Sequence, residues 1–99
     1  ILSNELDLFY GADFRSRLPL LSLFDVIVDA TYTGILKPDL RAYNSVAEAL
    51  GVLPGECVFV DDQRRNVDGA LRAGMRAVQF DVLQPAASFQ QGLKQLGVA

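Results

Sequence analysis

Residues 58–70 read Val-Phe-Val-Asp-Asp-Gln-Arg-Arg-Asn-Val-Asp-Gly-Ala, and the change of pattern inside that stretch decides the fold. Apolar, strand-forming residues end at the adjacent carboxylates of Asp61 and Asp62, and within a few positions the spacing becomes helical. In an open parallel α/β sheet such a junction lies at the carboxyl end of a strand, where ligands bind. Adjacent acids repel unless a cation or hydrogen-bond donors compensate them. A hard cation held by oxygen ligands suggests a phosphate beside it.

Working outward, residues 57–60 form a short all-apolar run suited to a parallel sheet covered on both faces. Ahead of it, Asp39 is placed to cap a helix whose Leu40, Tyr43, Val46, Ala47 and Leu50 form one apolar stripe, and Gly51 stops it. Residues 24–28 are rich in β-branched side chains and read as a buried strand, followed by a loop through Thr31, Thr33 and Gly34 that delivers Lys37-Pro38-Asp39. At the start, Ile1-Leu2 read as the end of a strand with Ser3-Asn4 as its turn or cap. The spacing of Leu6, Phe9, Tyr10, Phe14 and Leu18 predicts a helix up to Pro19.

Downstream, a helix is predicted over 66–73 with Val67, Ala70 and Leu71 inward and Gly74 just past its end. Gly69 and Ala70 are small enough to let it approach the sheet closely. A strand over 77–80 and a closing helix over 85–96, with Phe89, Leu93 and Leu96 in register, complete the chain. Strands alternating with helices call for right-handed crossovers and a parallel sheet.

Ninety-nine residues allow one domain, and 51% apolar residues with moderate charge are those of a globular chain. A net charge of −3 with scattered arginines leaves no basic footprint, so nucleic acid is not an expected partner. No apolar run is long enough to cross a bilayer and no signal-peptide pattern is present, which gives a cytoplasmic expectation with no membrane contact. Cys57 sits in a strand pattern and reads as a small buried hydrophobe. With no histidine, the chain cannot itself supply Ser-His-Asp or Cys-His activation. It opens at Ile1 rather than methionine, so the expectation is a processed chain or numbering that starts partway through something longer.

Ser3-Asn4, Lys37-Pro38, and Asp61-Asp62 with Asn66 each follow a predicted strand or enter a helix. Loops after different strands of a parallel sheet converge on one edge, so these groups are expected to share a pocket. A hydroxyl and an amide can donate to phosphate oxygens, lysine adds a compact positive charge, and a carboxylate can hold magnesium. Together they would offset charge on a transferring phosphoryl group. Asp25, Asp29 and Asp68 read as turn or solvated-face residues, and Arg64-Arg65 as solvent-facing.

The order Ile-Leu-Ser-Asn, Gly-Ile-Leu-Lys-Pro-Asp and Val-Phe-Val-Asp-Asp-Gln-Arg-Arg-Asn-Val-Asp-Gly-Ala, spread over residues 1–81, resembles the haloacid dehalogenase-like hydrolase superfamily. The resemblance implies an α/β, Rossmann-like parallel sheet with helices on both faces, incomplete at its N-terminus, so that residues 1–99 are the C-terminal portion of a single core domain. It implies that Ser3 binds the substrate phosphoryl group with Asn4 in support, and that Lys37 stabilises the charge of the nucleophile and the transferring group. Asp62 is then the Mg2+ ligand, with Asp61 and Asn66 supporting it.

The same resemblance implies that the attacking aspartate, on a central strand between those ending at Ser3 and Asp61, lies outside this chain, as does the cap that selects substrates. The expected function is a magnesium-dependent phosphatase of a small phosphomonoester. A dehalogenase is the alternative within the enzyme class, and a non-catalytic fragment or interaction module is the alternative outside it. In either class a missing N-terminal segment or a second copy would complete the sheet, and this chain alone is expected to be inactive.

Overall fold

The computed structural model describes residues 1–4 and 19–97. The helix predicted between Leu6 and Leu18 lies outside the described residues. Strand β1 (Leu2–Ser3) pairs in parallel with β2 (Val28–Asp29), and β3 (Val58–Asp61) pairs in parallel with β4 (Arg76–Gln79). The helices are α1 (Ala30–Thr33), α2 (Leu40–Leu50), α3 (Arg64–Arg72) and α4 (Pro85–Leu96), with 3-10 turns at Pro19–Leu23 and Pro54–Glu56. The two parallel pairs are separate sheets. An open cavity of about 410 Å³, lined by residues that include Ile1, Leu2, Phe24, Val58, Phe59 and Val60, lies where the pairs face each other.

The α/β class with parallel strands is as expected, and the alternation along β3 explains how helices come to cover both faces. Phe59 points toward α2 and meets the Tyr43 ring edge-on, with centroids 5.2 Å apart. Val58 and Val60 point the other way, onto Phe89, Gly92, Leu93 and Leu96 of α4. The core is therefore on the Phe59 side, where Tyr43, Val46, Ala47, Ala70 and Met75 cluster.

Several expectations need correction. The strand over 24–28 shrinks to Val28–Asp29, whose partner among the described residues is the two-residue β1, and Phe24 is exposed. The loop after it begins with a helical turn: the carboxylate of Asp29 accepts from the Thr31 amide, and Gly34 closes the turn at φ 71°. Asp29 is accordingly buried rather than solvated.

Helix α2 is capped by Asp39 and Gly51 as predicted, yet its inward face is Ala42, Tyr43, Val46 and Ala47, and Leu40 and Leu50 are exposed. In α3, Leu71 likewise faces out, and in α4 the buried residues are Ser88 and Gly92, not Phe89, Leu93 and Leu96. Apolar spacing identifies a face, but the area of sheet available decides how much of that face is covered. Cys57 is half-buried and free, and burial pushes its thiol up.

Candidate active site

The site forms at the carboxyl ends of β1 and β3 and at the entry to α2. Strand β3 delivers Asp61 as its last residue, and the chain then turns into α3, whose third residue is Asn66. The Asp61 carboxylate organises this turn: Oδ1 accepts from the Gln63 amide at 2.8 Å, and Oδ2 accepts from Asn66 Nδ2 at 3.2 Å. Lys37 Nζ reaches the same Oδ2 at 2.9 Å, with both side chains only 10% exposed. Burial by itself would raise Asp61; the Gln63 amide, the Lys37 ammonium and the Asn66 amide outweigh it and hold the carboxyl below its ordinary range. The Lys37 ammonium also lies over the Phe59 ring, 5.4 Å from its centroid.

Asn4 holds Lys37 from the other side. Its Oδ1 accepts from the Lys37 amide at 2.7 Å and its Nδ2 donates to the Lys37 carbonyl at 3.3 Å. The side chain thus pairs with the backbone of one residue, across the cis Lys37-Pro38 peptide's own loop, and joins the β1 end to the loop before α2. Ser3 is the last residue of β1, half-buried beside it.

The close approach of α3 to this loop depends on Gly69. A β-carbon there would stand 2.5 Å from Tyr43 Oη and 2.8 Å from Pro38 Cβ. Tyr43, fully buried, donates to the Asn66 carbonyl at 2.7 Å and so ties α2 to the first turns of α3. Gly69 was expected to serve contact with the sheet; the contact it serves is with α2 and the Lys37-Pro38 loop.

Ser3, Asn4, Lys37, Asp61, Asp62 and Asn66 all line one open cavity of about 260 Å³, together with Leu2, Gln63 and Arg65. Asp62 is exposed, and its carbonyl accepts from Gln79 Nε2 at 3.2 Å. A neighbouring open cavity of about 460 Å³ is lined by Asp62, Gln79, Phe80, Asp81 and Val82, so Asp62 stands between the two. Gln63 and Gln79 were not singled out from sequence, and Arg65 was read only as solvent-facing, which its exposure bears out. Only position in the fold marks them, since a glutamine or an arginine after a strand carries no pattern of its own. Arg64 does face solvent, paired with Asp68 at 3.0 Å, whereas Arg65 is exposed on the cavity wall.

The family model described as haloacid dehalogenase-like hydrolase matches residues 1–74. The chain belongs to the haloacid dehalogenase-like hydrolases. Among its relatives is phosphatase MT3486 of Mycobacterium tuberculosis (strain CDC 1551 / Oshkosh), 41% identical over 81 residues that cover 82% of this chain and 37% of the relative. Enolase-phosphatase E1 of Sorangium cellulosum (strain So ce56) is 46% identical over 61 residues, covering 62% of this chain and 25% of that enzyme. The hydrolase chain thus spans well under half the length of these curated relatives. An uncharacterized protein from Corynebacterium glutamicum shares the fold, with a TM-score of 0.79 at 24% identity over 100% of this chain and 70% of the other.

Whether the residues suit a divalent cation can be judged from the donors they leave over. Asn66 is 97% buried by virtue of 3% exposure, and its Oδ1 has no hydrogen-bond partner. The Asp62 carboxylate lines the same cavity and makes no ion pair among the described residues. Two oxygen donors of this kind suit magnesium. No cluster of three or more metal-binding side chains occurs among the described residues, so these would be part of a ligand set. Among the described residues no helix is long and apolar enough to cross a membrane.

Proposed function

We propose that this hydrolase chain forms the phosphate-binding and metal-binding wall of a magnesium-dependent phosphatase acting on a small phosphomonoester. The observation that carries the reading is the Lys37–Asp61 pair, nearly buried and lining a polar cavity that Ser3, Asn4, Asp62 and Asn66 share. An ammonium has three donors. With one given to Asp61, others remain for phosphoryl oxygens, and Asp61 fixes where they point. The Ser3 hydroxyl would hold the phosphoryl group, and Asn4 would set the Lys37 backbone in place.

Magnesium, when bound, would neutralise charge on the phosphoryl oxygens, held by Asp62 with Asn66 in support. Asp61, committed to Lys37, would act on the site by orienting that lysine. In this reading residues 1–99 are the C-terminal portion of one core domain, completed by another segment of the same protein or by a second copy. The aspartate that attacks phosphorus, expelling the alcohol, would come from that other segment, and water would then release phosphate from it. Retention of a free carboxylate at Asp62 favours phosphoryl transfer over dehalogenation, which needs no metal.

The test is hydrolysis of p-nitrophenyl phosphate by the intact protein with and without a chelator. Turnover should require added magnesium, and Asp62→Asn should lower it by about 100-fold or more while leaving the melting temperature within a few degrees. Turnover that survives complete metal removal sinks the phosphatase reading.

A further inference from the structure

Arg65 stands on the wall of the same cavity as Lys37, in the first turn of α3. A cation is poorly placed there, because the N-terminal end of a helix is itself positive. Arg64 shares that handicap but is offset by Asp68, one turn on, at 3.0 Å. The residue one turn on from Arg65 is Gly69, which the packing of Tyr43 and Pro38 requires to be glycine. Arg65 makes no ion pair among the described residues.

The cavity therefore has two cations in opposite conditions. Lys37 is bound to an internal carboxylate, and Arg65 is exposed with its charge unspent. A guanidinium binds a carboxylate or phosphate through paired N–H donors in a geometry that an ammonium cannot reproduce.

We propose that Arg65 makes this site selective for phosphomonoesters that carry a second anionic group, such as a carboxylate, next to the reactive phosphoryl. The inference rests on the phosphatase reading for the placement of the phosphoryl group on Ser3 and Lys37. Arg65 itself then takes no part in the chemistry; it sets which substrates bind well.

Methylphosphonate and phosphonoacetate differ by one carboxylate and neither is a hydrolysable ester, so calorimetric titration of the intact protein with each reads selectivity without turnover. The expected result is phosphonoacetate bound about tenfold more tightly than methylphosphonate, a preference that falls to within about twofold in Arg65→Ala and is partly kept in Arg65→Lys. Arg65→Glu should shift the preference to aminomethylphosphonate. Arg65 is exposed, so these variants should melt with the parent, which is checked by circular dichroism. Equal affinities in the parent protein, an unchanged preference in Arg65→Ala, or no binding of either probe would each overturn the proposal. Failure of the phosphatase reading shows instead as absent p-nitrophenyl phosphate turnover, which the titration does not use.

Discussion

The two faces of the β3–β4 sheet are packed to different standards. On one face α2 and α3 close tightly: Tyr43, Val67 and Ala70 are at most 2% exposed, and the Tyr43 hydroxyl is spent on the Asn66 carbonyl at 2.7 Å. On the other face α4 lies over Val58 and Val60, yet Phe89 remains 65% and Leu96 52% exposed. The polar residues of the candidate site hang from the tight face. Asn66 belongs to α3, and Lys37-Pro38 is pressed against Gly69. Positions of charged groups are fixed where the packing cannot relax, and the loosely covered helix carries none of the cavity's residues.

The largest way to break that contrast is to remove the charge at its centre. Lys37→Met leaves the Asp61 carboxylate nearly buried without its cation, and removing one partner of a buried pair costs about 3 kcal/mol or more. The Gln63 and Asn66 donors remain, which keeps the expected loss near that figure in urea unfolding. Activity of the intact protein should fall by about 100-fold or more. Acid tests the same pair without a mutation. Because the folded carboxyl of Asp61 lies below its ordinary value, its contribution is fully present above about pH 4. That contribution disappears as pH falls through the lowered folded value. Stability of the parent and of Asp61→Asn should therefore converge in acid; curves that stay parallel below pH about 4 would show that the ion pair contributes nothing.

Next in size is Gly69→Ala. The added β-carbon meets Tyr43 Oη at 2.5 Å and Pro38 Cβ at 2.8 Å, and Tyr43 cannot retreat because it is fully buried and hydrogen-bonded. Overpacking of this kind costs about 1–3 kcal/mol. It should also displace the Lys37-Pro38 loop, so activity should fall along with stability, measured on the same preparation. A variant as stable as the parent would mean that the tight face yields more easily than its burial suggests.

The same contrast explains what could be read from the sequence. The strand-to-helix turn at Asp61, the Asp39 and Gly51 caps of α2 and the glycine after α3 are local features, set by a few neighbouring residues, and each appears in the fold. Exposure of Leu40, Leu50, Leu71, Phe89, Leu93 and Leu96 was not legible, because periodicity tells which way a face points and not what lies opposite it. The grouping of Ser3, Lys37 and Asp61 around one cavity followed from the parallel-sheet rule that loops after strands share an edge. The Lys37–Asp61 bond itself joins residues 24 apart, and nothing in either local sequence specifies it. Asp29 as a buried cap and Arg65 as a cavity residue were missed for the same reason: short polar stretches read as solvated until the chain around them is placed.

The smallest predicted effect has the opposite sign and sharpens the comparison most cleanly, since it repeats the Gly-to-Ala change on the loose face. Gly92 is buried in the middle of α4, and a β-carbon there meets Val60 Cγ2 at 3.6 Å, ordinary van der Waals contact. Nothing has to move. Alanine in a helix interior is favoured over glycine by about 0.5–1 kcal/mol, through the smaller conformational freedom lost on folding. The new methyl also fills space beside Val58, Val60 and Leu93 that α4 leaves open. Gly92→Ala should therefore stabilise the protein by about 0.5–1 kcal/mol, with the proposed phosphatase activity of the intact protein unchanged because α4 lines neither polar cavity. Two identical substitutions moving stability in opposite directions would locate the difference in the neighbours of each glycine. Destabilisation at both positions would mean instead that α4 sits closer to the sheet than its exposed stripe implies.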